Sequence, residues 1–392
     1  MTRQANSFSR RRSILGALSG LVVAASLATA QAQSTIPARL SDKDLWLLNT
    51  DFSEPSGYFR SENFLSNETG FQYVIPDLKR TTQPGGVYLG VGPEQNFTYI
   101  VALQPKMAII FDIRRGNMIE HLMYKTLFEL APDRAEFLSR LFSRARPTGL
   151  DANATPQQLF DAFIAAKPDS ALYRKNLATI KDRLTKDHGF TMHDEDAKSL
   201  ENIYSAFFGG GPQINYNYPS RGGFGGGFGG GGMPTYASLQ NATDSAGKNW
   251  AYLATEANYR WLKDFEAKNL LVPVVGDFAG SKAIRSVAKY LKDHGAIAST
   301  FYTSNVEQYL FQQNDDWSRY YKNVAELPLD STSMFIRSIG GGRGLGSPSG
   351  ATVQQMLFGG RLASVTCSIQ DLVKAFNEGK ILTYGDVINM SR

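Results

Sequence analysis

Cysteine is almost missing from this chain: Cys367 stands alone among 392 residues, which excludes an internal disulfide framework and a multi-cysteine metal site. Histidine is scarce too, with four in all. The nearest thing to a ligand cluster, His188 and His193 with Asp194 and Glu195, has no recognised metal spacing, and Asp194 reads as a helix entry. No metal is expected. H-E-x-x-H, G-x-S-x-G and the phosphate loop are all absent, and Gly247-Lys248 lacks the upstream glycine, so zincin, α/β-hydrolase and P-loop chemistry have no support. An excess of one charge is lacking as well. Of 41 basic residues, Arg3, Arg10, Arg11 and Arg12 fall at the N-terminus, leaving 37 against 36 acids. Nothing in that balance calls for a nucleic-acid partner or an anionic membrane.

The N-terminus reads as an export signal over residues 1–32. Arg10, Arg11 and Arg12 precede an Ala-, Gly- and Ser-rich apolar stretch from Ile14 to Ala30, with a peptidase-type site at Ala30-Gln31-Ala32. Arg11-Arg12-Ser13-Ile14-Leu15 fits the twin-arginine pattern, while an ordinary secretory signal with one extra arginine is the alternative. The expectation is a periplasmic or secreted protein, carried by the twin-arginine machinery, with no stable membrane span after processing.

The richest local signal is a strand, a glycine turn, a helix, a second strand and an acid. The strand is Val87 to Val91; Gly90 and Gly92 allow a tight turn; Pro93 and Glu94 suit a first helical turn. A second apolar run, Met107 to Phe111, ends in Asp112, about 20 residues on, where parallel-sheet folds place the acid that binds ribose hydroxyls. The third glycine of a dinucleotide fingerprint is replaced by Gln95, which disfavours a nicotinamide oxidoreductase and leaves a smaller nucleoside ligand such as S-adenosylmethionine. The alternative is an ordinary strand-to-helix turn.

Residues 33–84 read as an N-terminal helical segment with pieces at Leu40–Leu48 and Tyr58–Leu65. A Rossmann-like domain follows over 85–340. It is interrupted by a helical insertion at 117–208, with Thr155-Pro156 as a capped helix start, and by a glycine-rich loop at 209–235 expected to be disordered. Strands resume at Leu270–Val275, Ala296–Tyr302 and Met334–Ile339, and 341–392 reads as a C-terminal tail. The fold class is α/β, with a Rossmann-like, mostly parallel sheet. Ligands of such sheets sit outside the strands' carboxyl ends. Those ends carry Gly90, Gly92, Glu94, Asp112, Asp277 and Phe278 as candidate binding residues, and Asn305, Glu307 and Tyr309 as candidate catalytic residues facing an acceptor. Each has a plain structural alternative: Asp277 and Asn305 as helix caps, Asp112 as a partner of Arg114 or Arg115.

Three blocks, FDIRRGNMIEHLMYKTLFELAPDRAEFLSRLFSR, YLATEANYRWLKDFEAKNLLVPVVGDFAGSKAIR and FYTSNVEQYLF, resemble an uncharacterised bacterial protein family whose fold is similar to that of Rossmann-type S-adenosylmethionine-dependent methyltransferases. The resemblance covers most of the chain from about Asp42 to Ile339. It implies S-adenosylmethionine as cofactor, with the glycine turn on the methionine part, Asp112 on the ribose, and Asp277 with Phe278 on the adenine. Such methyltransferases usually carry an acid before the first glycine and often a third glycine, and here Tyr88 and Glu94 occupy those places. The expected function is an exported methyltransferase-like protein binding a nucleoside-type small molecule. The alternative is a non-catalytic exported binding or scaffold protein of the same fold.

Overall fold

The computed structural model describes residues 34–218, 233–340 and 362–392. The stretch expected to be an export signal, most of the glycine-rich loop and the first part of the expected tail lie outside the described residues. Among the described residues six strands form one sheet: β1 (Val87–Val91), β2 (Met107–Asp112), β3 (Leu271–Val275), β4 (Ala298–Ser304), β5 (Met334–Gly340) and β6 (Leu362–Ser368). Their order is β3-β2-β1-β4-β5-β6. The first five are parallel and β6 is antiparallel to β5. Every residue of β1, β2 and β3 is buried, which is why these strands read as unbroken apolar runs instead of alternating ones. The architecture is Rossmann-like α/β.

Among the described residues thirteen α-helices precede β5 in chain order. They are α1 (Asp42–Phe52), α2 (Ile75–Thr81), α3 (Gln95–Leu103), α4 (Arg115–Leu130), α5 (Arg134–Phe142), α6 (Pro156–Ala165), α7 (Ser170–Asp182), α8 (Asp194–Gly210), α9 (Tyr236–Gln240), α10 (Glu256–Ala267), α11 (Ala283–Asp293), α12 (Val306–Leu310) and α13 (Asp316–Val324). The insertion is anchored on α4, which contacts β3, α8 and α10. Its apolar stripe meets an aromatic cluster in which Phe128 stacks on Phe137 at 4.6 Å and Phe97 lies edge-on to Tyr124 and Tyr252. Helix α6 starts as expected: Thr155 Oγ1 accepts the Gln158 N–H, and Gln158 Oε1 accepts the Thr155 N–H.

Three expectations need correction. Tyr58–Leu65 is not helical: the segment is irregular, and Asn63 sits at φ +51°, a left-handed conformation that ends any helical run. The glycine-rich loop does not begin at 209, because α8 runs through Gly209 and Gly210 and a short 3-10 turn spans Gly211–Gln213. The last 31 residues are no tail, since β6 pairs with β5 from Ser368 opposite Met334 to Leu362 opposite Gly340. Serine and threonine alternate with Ala363, Val365 and Cys367 in β6, so no apolar run announced it, and the long-range partner supplies the stability.

The insertion is also fastened to α1 by an ionic and aromatic junction. His188 Nε2 lies 2.8 Å from Glu129 Oε2 and its Nδ1 lies 3.0 Å from Asp42 Oδ2. Its ring stacks on Phe190, which stacks on Trp46 of α1. Burial opposes the imidazolium, but Glu129 and Asp42 overcome it and hold the His188 pKa above its ordinary value. The same cation, with Lys125, lowers Glu129 to about 2 against its burial. A histidine raised on folding contributes stability that is complete below about pH 6.5 and is lost as pH rises through its folded value. His188→Gln is therefore expected to cost roughly 1.5–3 kcal/mol at pH 6. In urea unfolding this deficit relative to the parent protein should shrink steadily above pH 6.5; a deficit independent of pH would refute the charged junction.

Candidate ligand pocket at the strand ends

Backbone pairing brings the carboxyl ends of β1, β2 and β3 together before any side chain acts. The Gly92 N–H donates to Phe111 O at 3.3 Å, and the Gly276 N–H donates to Asp112 O at 2.8 Å. Asp112 is paired with Val275, so Asp277 follows directly beside it. A cavity of about 220 Å3 opens here, between the ends of these strands and of β4. The order reverses between β1 and β4, the switch point at which open α/β sheets hold ligands. The sheet end contributes Gly92, Asp112, Asp277, Phe278, Tyr302, Ser304 and Asn305; α12 adds Tyr309, and Asn63, Ser66, Asn67 and Glu68 of the segment before β1 add to the polar lining.

The glycine turn is clamped from behind. Asn96, fully buried at the start of α3, donates its amide to the carbonyls of Val91 (2.9 Å), Gly92 (3.2 Å) and Pro93 (2.8 Å), while the Tyr88 hydroxyl donates to its Oδ1 at 2.9 Å. His121 Nε2 lies 2.8 Å from Gly92 O. Burial lowers the His121 pKa to about 4, so the ring is neutral and this nitrogen is the N–H donor. Gly92 has φ +75°, and a Cβ there would face the Asn63 side chain at 3.5 Å. Gly90 plays another part: a Cβ would collide with Asn96 Oδ1, so this glycine makes room for the clamp and not for a ligand.

Of the nine expected site residues, six line the cavity: Gly92, Asp112, Asp277, Phe278, Asn305 and Tyr309. Gly90, Glu94 and Glu307 do not. Glu94 is 1% exposed behind the turn, tied to the Ser66 backbone, and burial raises its pKa to about 8, so it is a neutral core acid. Glu307 turns away toward β5, where it forms a buried ion pair with Arg337 (Nη2 to Oε1 3.1 Å) and accepts the Tyr321 hydroxyl at 2.7 Å. Phe278 offers its edge only, since its ring is stacked on Phe301 at 5.8 Å and packed on Phe111 and Tyr320.

Asp112 carries both the structural and the ligand-facing reading. Its Oδ1 accepts the Arg114 N–H (2.8 Å) and Nε (3.2 Å), and its Oδ2 accepts Nη2 at 3.1 Å. A carboxylate has about four acceptor sites, which leaves one on Oδ2 for a hydroxyl from the cavity. Arg115 is engaged elsewhere, by Asp196 of α8. Asp277 caps no helix, because α11 begins at Ala283; its Oδ1 accepts the Ala279 N–H at 2.9 Å within a turn. Asn305 precedes α12 without a side-chain cap bond, so its amide is left to the cavity.

Glu68 was not foreseen. It is 1% exposed, lines the cavity, and gathers Tyr302 (2.8 Å) and Ser304 (2.6 Å) on Oε1 and Gln95 (2.8 Å) on Oε2. Ser304 reaches it from φ +50° at an irregularity between β4 and β5, a left-handed strain of roughly 1–3 kcal/mol of the sort stored at functional sites. In sequence Glu68 sits in Asn67-Glu68-Thr69, a loop with no chemical pattern, and only the polar Tyr302 and Ser304 within a buried strand hinted that something charged lay opposite.

Among the described residues no group of three or more His, Cys, Asp or Glu is placed to hold a metal ion, and no helix is long and apolar enough to cross a membrane. The fold defines a Rossmann-like α/β protein with a cavity of mixed apolar and polar lining at its switch point. A family model described as Domain of unknown function (DUF7790) matches residues 63–207 and 220–367, and the chain belongs to that family. No curated protein matches it.

Glu307→Gln should cost roughly 3–5 kcal/mol by urea unfolding, the penalty of leaving Arg337 buried and unpaired. Ligand binding by the folded fraction should be unchanged. A loss of binding with stability intact would return Glu307 to the cavity.

Proposed function

We propose that the cavity binds S-adenosylmethionine or a close nucleoside relative, and that the chain is an exported methyltransferase-like protein. The observation that carries this reading is the convergence of Gly92, Asp112 and Asp277 on one cavity at the β1/β4 switch point. The donor set suits a nucleoside. Gly92 leaves open the space a side chain would fill, Asp112 keeps one acceptor site for a ribose hydroxyl, and Asp277 with the Phe278 edge faces the third strand end. The lining among the described residues has no lysine, arginine or histidine, which disfavours a pyrophosphate-containing cofactor. When bound, S-adenosylmethionine would supply an activated methyl group. The protein's share is alignment and exclusion of water, with Asn305 and Tyr309 on the acceptor side. Export through the twin-arginine route, signalled by Arg11 and Arg12, belongs to the same proposal and would let the protein fold around its ligand before reaching the periplasm or the exterior.

A second reading, a non-catalytic binding protein of the same fold, is favoured by the withdrawal of Glu307 into its ion pair with Arg337, which removes one of the three candidate acceptor-side groups. Turnover separates the two readings; binding does not.

S-adenosylmethionine at 100 times its dissociation constant should add about 2.7 kcal/mol, a rise of roughly 4 °C in Tm for a chain of this size. Asp112→Ala should abolish most of that rise. No shift with S-adenosylmethionine or S-adenosylhomocysteine, in protein stripped of copurified ligand, would remove the nucleoside reading. For export, Arg11→Lys with Arg12→Lys should leave the precursor in the cytoplasm, as seen by fractionation; unchanged export would rule out the twin-arginine route.

A further inference from the structure

The cavity is electrically one-sided. Its described lining includes four carboxylates, Glu68, Asp112, Asp277 and Asp316, and no basic side chain. Two are neutralised from outside the lining: Asp112 by Arg114 and Asp316 by Arg319. Glu68 and Asp277 have no ion-pair partner among the described residues. For Asp277, partly exposed and in a turn, water is a sufficient answer. Glu68 is 1% exposed, and a carboxylate so buried calls for a counter-charge.

The hydrogen bonds around Glu68 present donors to its carboxyl group. The Tyr99 hydroxyl donates to Phe71 O at 3.0 Å, so its oxygen must accept from the Gln95 amide at 3.3 Å. That fixes Gln95 Nε2, and not its oxygen, against Glu68 Oε2. Tyr302 and Ser304 supply O–H donors to Oε1, and Ser364 of β6 stands 3.5 Å from Oε2. All these groups are neutral donors aimed at an acceptor. They supply hydrogen bonds but no counter-charge, and Glu68 lines the cavity. The same lining holds aromatic rings: Tyr309, with Phe59 edge-on at 5.4 Å and the Arg60 guanidinium carbon 6.0 Å from its ring centre, and the exposed Tyr58. Aromatic rings and an anion lining one cavity are common surroundings of an organic cation.

We propose that the ligand carries a positive charge seated beside Glu68, which acts as its counter-ion and selects cationic over neutral members of the same ligand class. This rests on the nucleoside reading of the cavity and sharpens it: the site would favour a sulfonium or a protonated amine at the end of the ribose over the corresponding thioether or alcohol. Glu68 comes from the segment before β1, so the residue that reads the charge is separate from those that read the sugar.

Matched pairs titrated calorimetrically into the mature protein at pH 7 and low salt test this: S-adenosylmethionine against S-adenosylhomocysteine, and 5′-amino-5′-deoxyadenosine against adenosine, with choline as a cation lacking a nucleoside. The cation of each pair should bind at least about tenfold more tightly. Glu68→Gln, with its circular dichroism and melting unchanged, should erase that preference while adenosine binding persists. Should the variant not fold, the wild-type pairs decide alone. Equal binding within both pairs would overturn the role of Glu68 and leave the nucleoside reading standing. Binding of choline that depends on Glu68, with no nucleoside bound, would support the counter-ion and overturn the nucleoside. Binding of none of the five would overturn both.

Discussion

Much of the site's construction follows from one constraint: a carboxylate placed almost out of water must be surrounded by donors. Glu68 satisfies it by drawing on α3 through Gln95, on β4 through Tyr302 and Ser304, and on β6 through Ser364. Each contact ties the irregular segment before β1 to a different element. The segment has no helix or strand of its own between Tyr58 and Glu68, so these bonds, with the Arg114 contact to the Glu62 carbonyl, fix its course. Burial first, and then Glu68, raise the pKa of Tyr99 and Tyr302, which keeps their hydroxyls protonated and able to donate.

The central strands were legible because burial on both faces demands unbroken apolar runs, and β1 spans the expected Val87–Val91. Gly92, Asp112 and Asp277 were legible for a related reason. In a parallel sheet the residue just beyond an apolar run falls at the carboxyl edge whatever the remainder of the chain does. Glu68 and Asn96 escaped notice because their roles depend on partners far apart in sequence or on a side chain folding back on its own turn. Strand β6 escaped because half its residues are small and polar, and only β5 makes them a strand.

Proximity in sequence to a strand end does not fix direction. Glu307 lies three residues past β4, as near as many ligand-binding residues, yet the turn of α12 points it at Arg337 on β5 instead of at the cavity. Tyr309, two residues further, faces the opening. Phe278 shows the same limit in another form. It reaches the cavity as expected, but Phe301 occupies its flat face, so whatever stacking a ligand finds must come from Tyr309, Phe59 or Tyr58.

The two sides of the cavity therefore differ in stiffness, and the difference has a physical cause. On the sheet side Asn96 and a neutral His121 satisfy the carbonyls of the glycine turn, and backbone bonds tie Gly92 and Gly276 to β2. Preorganisation of this kind lowers the entropy lost on binding. On the covering side the backbone is irregular, Asn63 is held at positive φ, and Tyr58 is 85% exposed. Side-chain bonds to Glu68 hold that side far more than backbone pairing does. A ligand that engaged Glu68 would then do two things at once: neutralise the buried charge and tighten the segment that carries it, so that recognition of charge and closure of the cavity become one event.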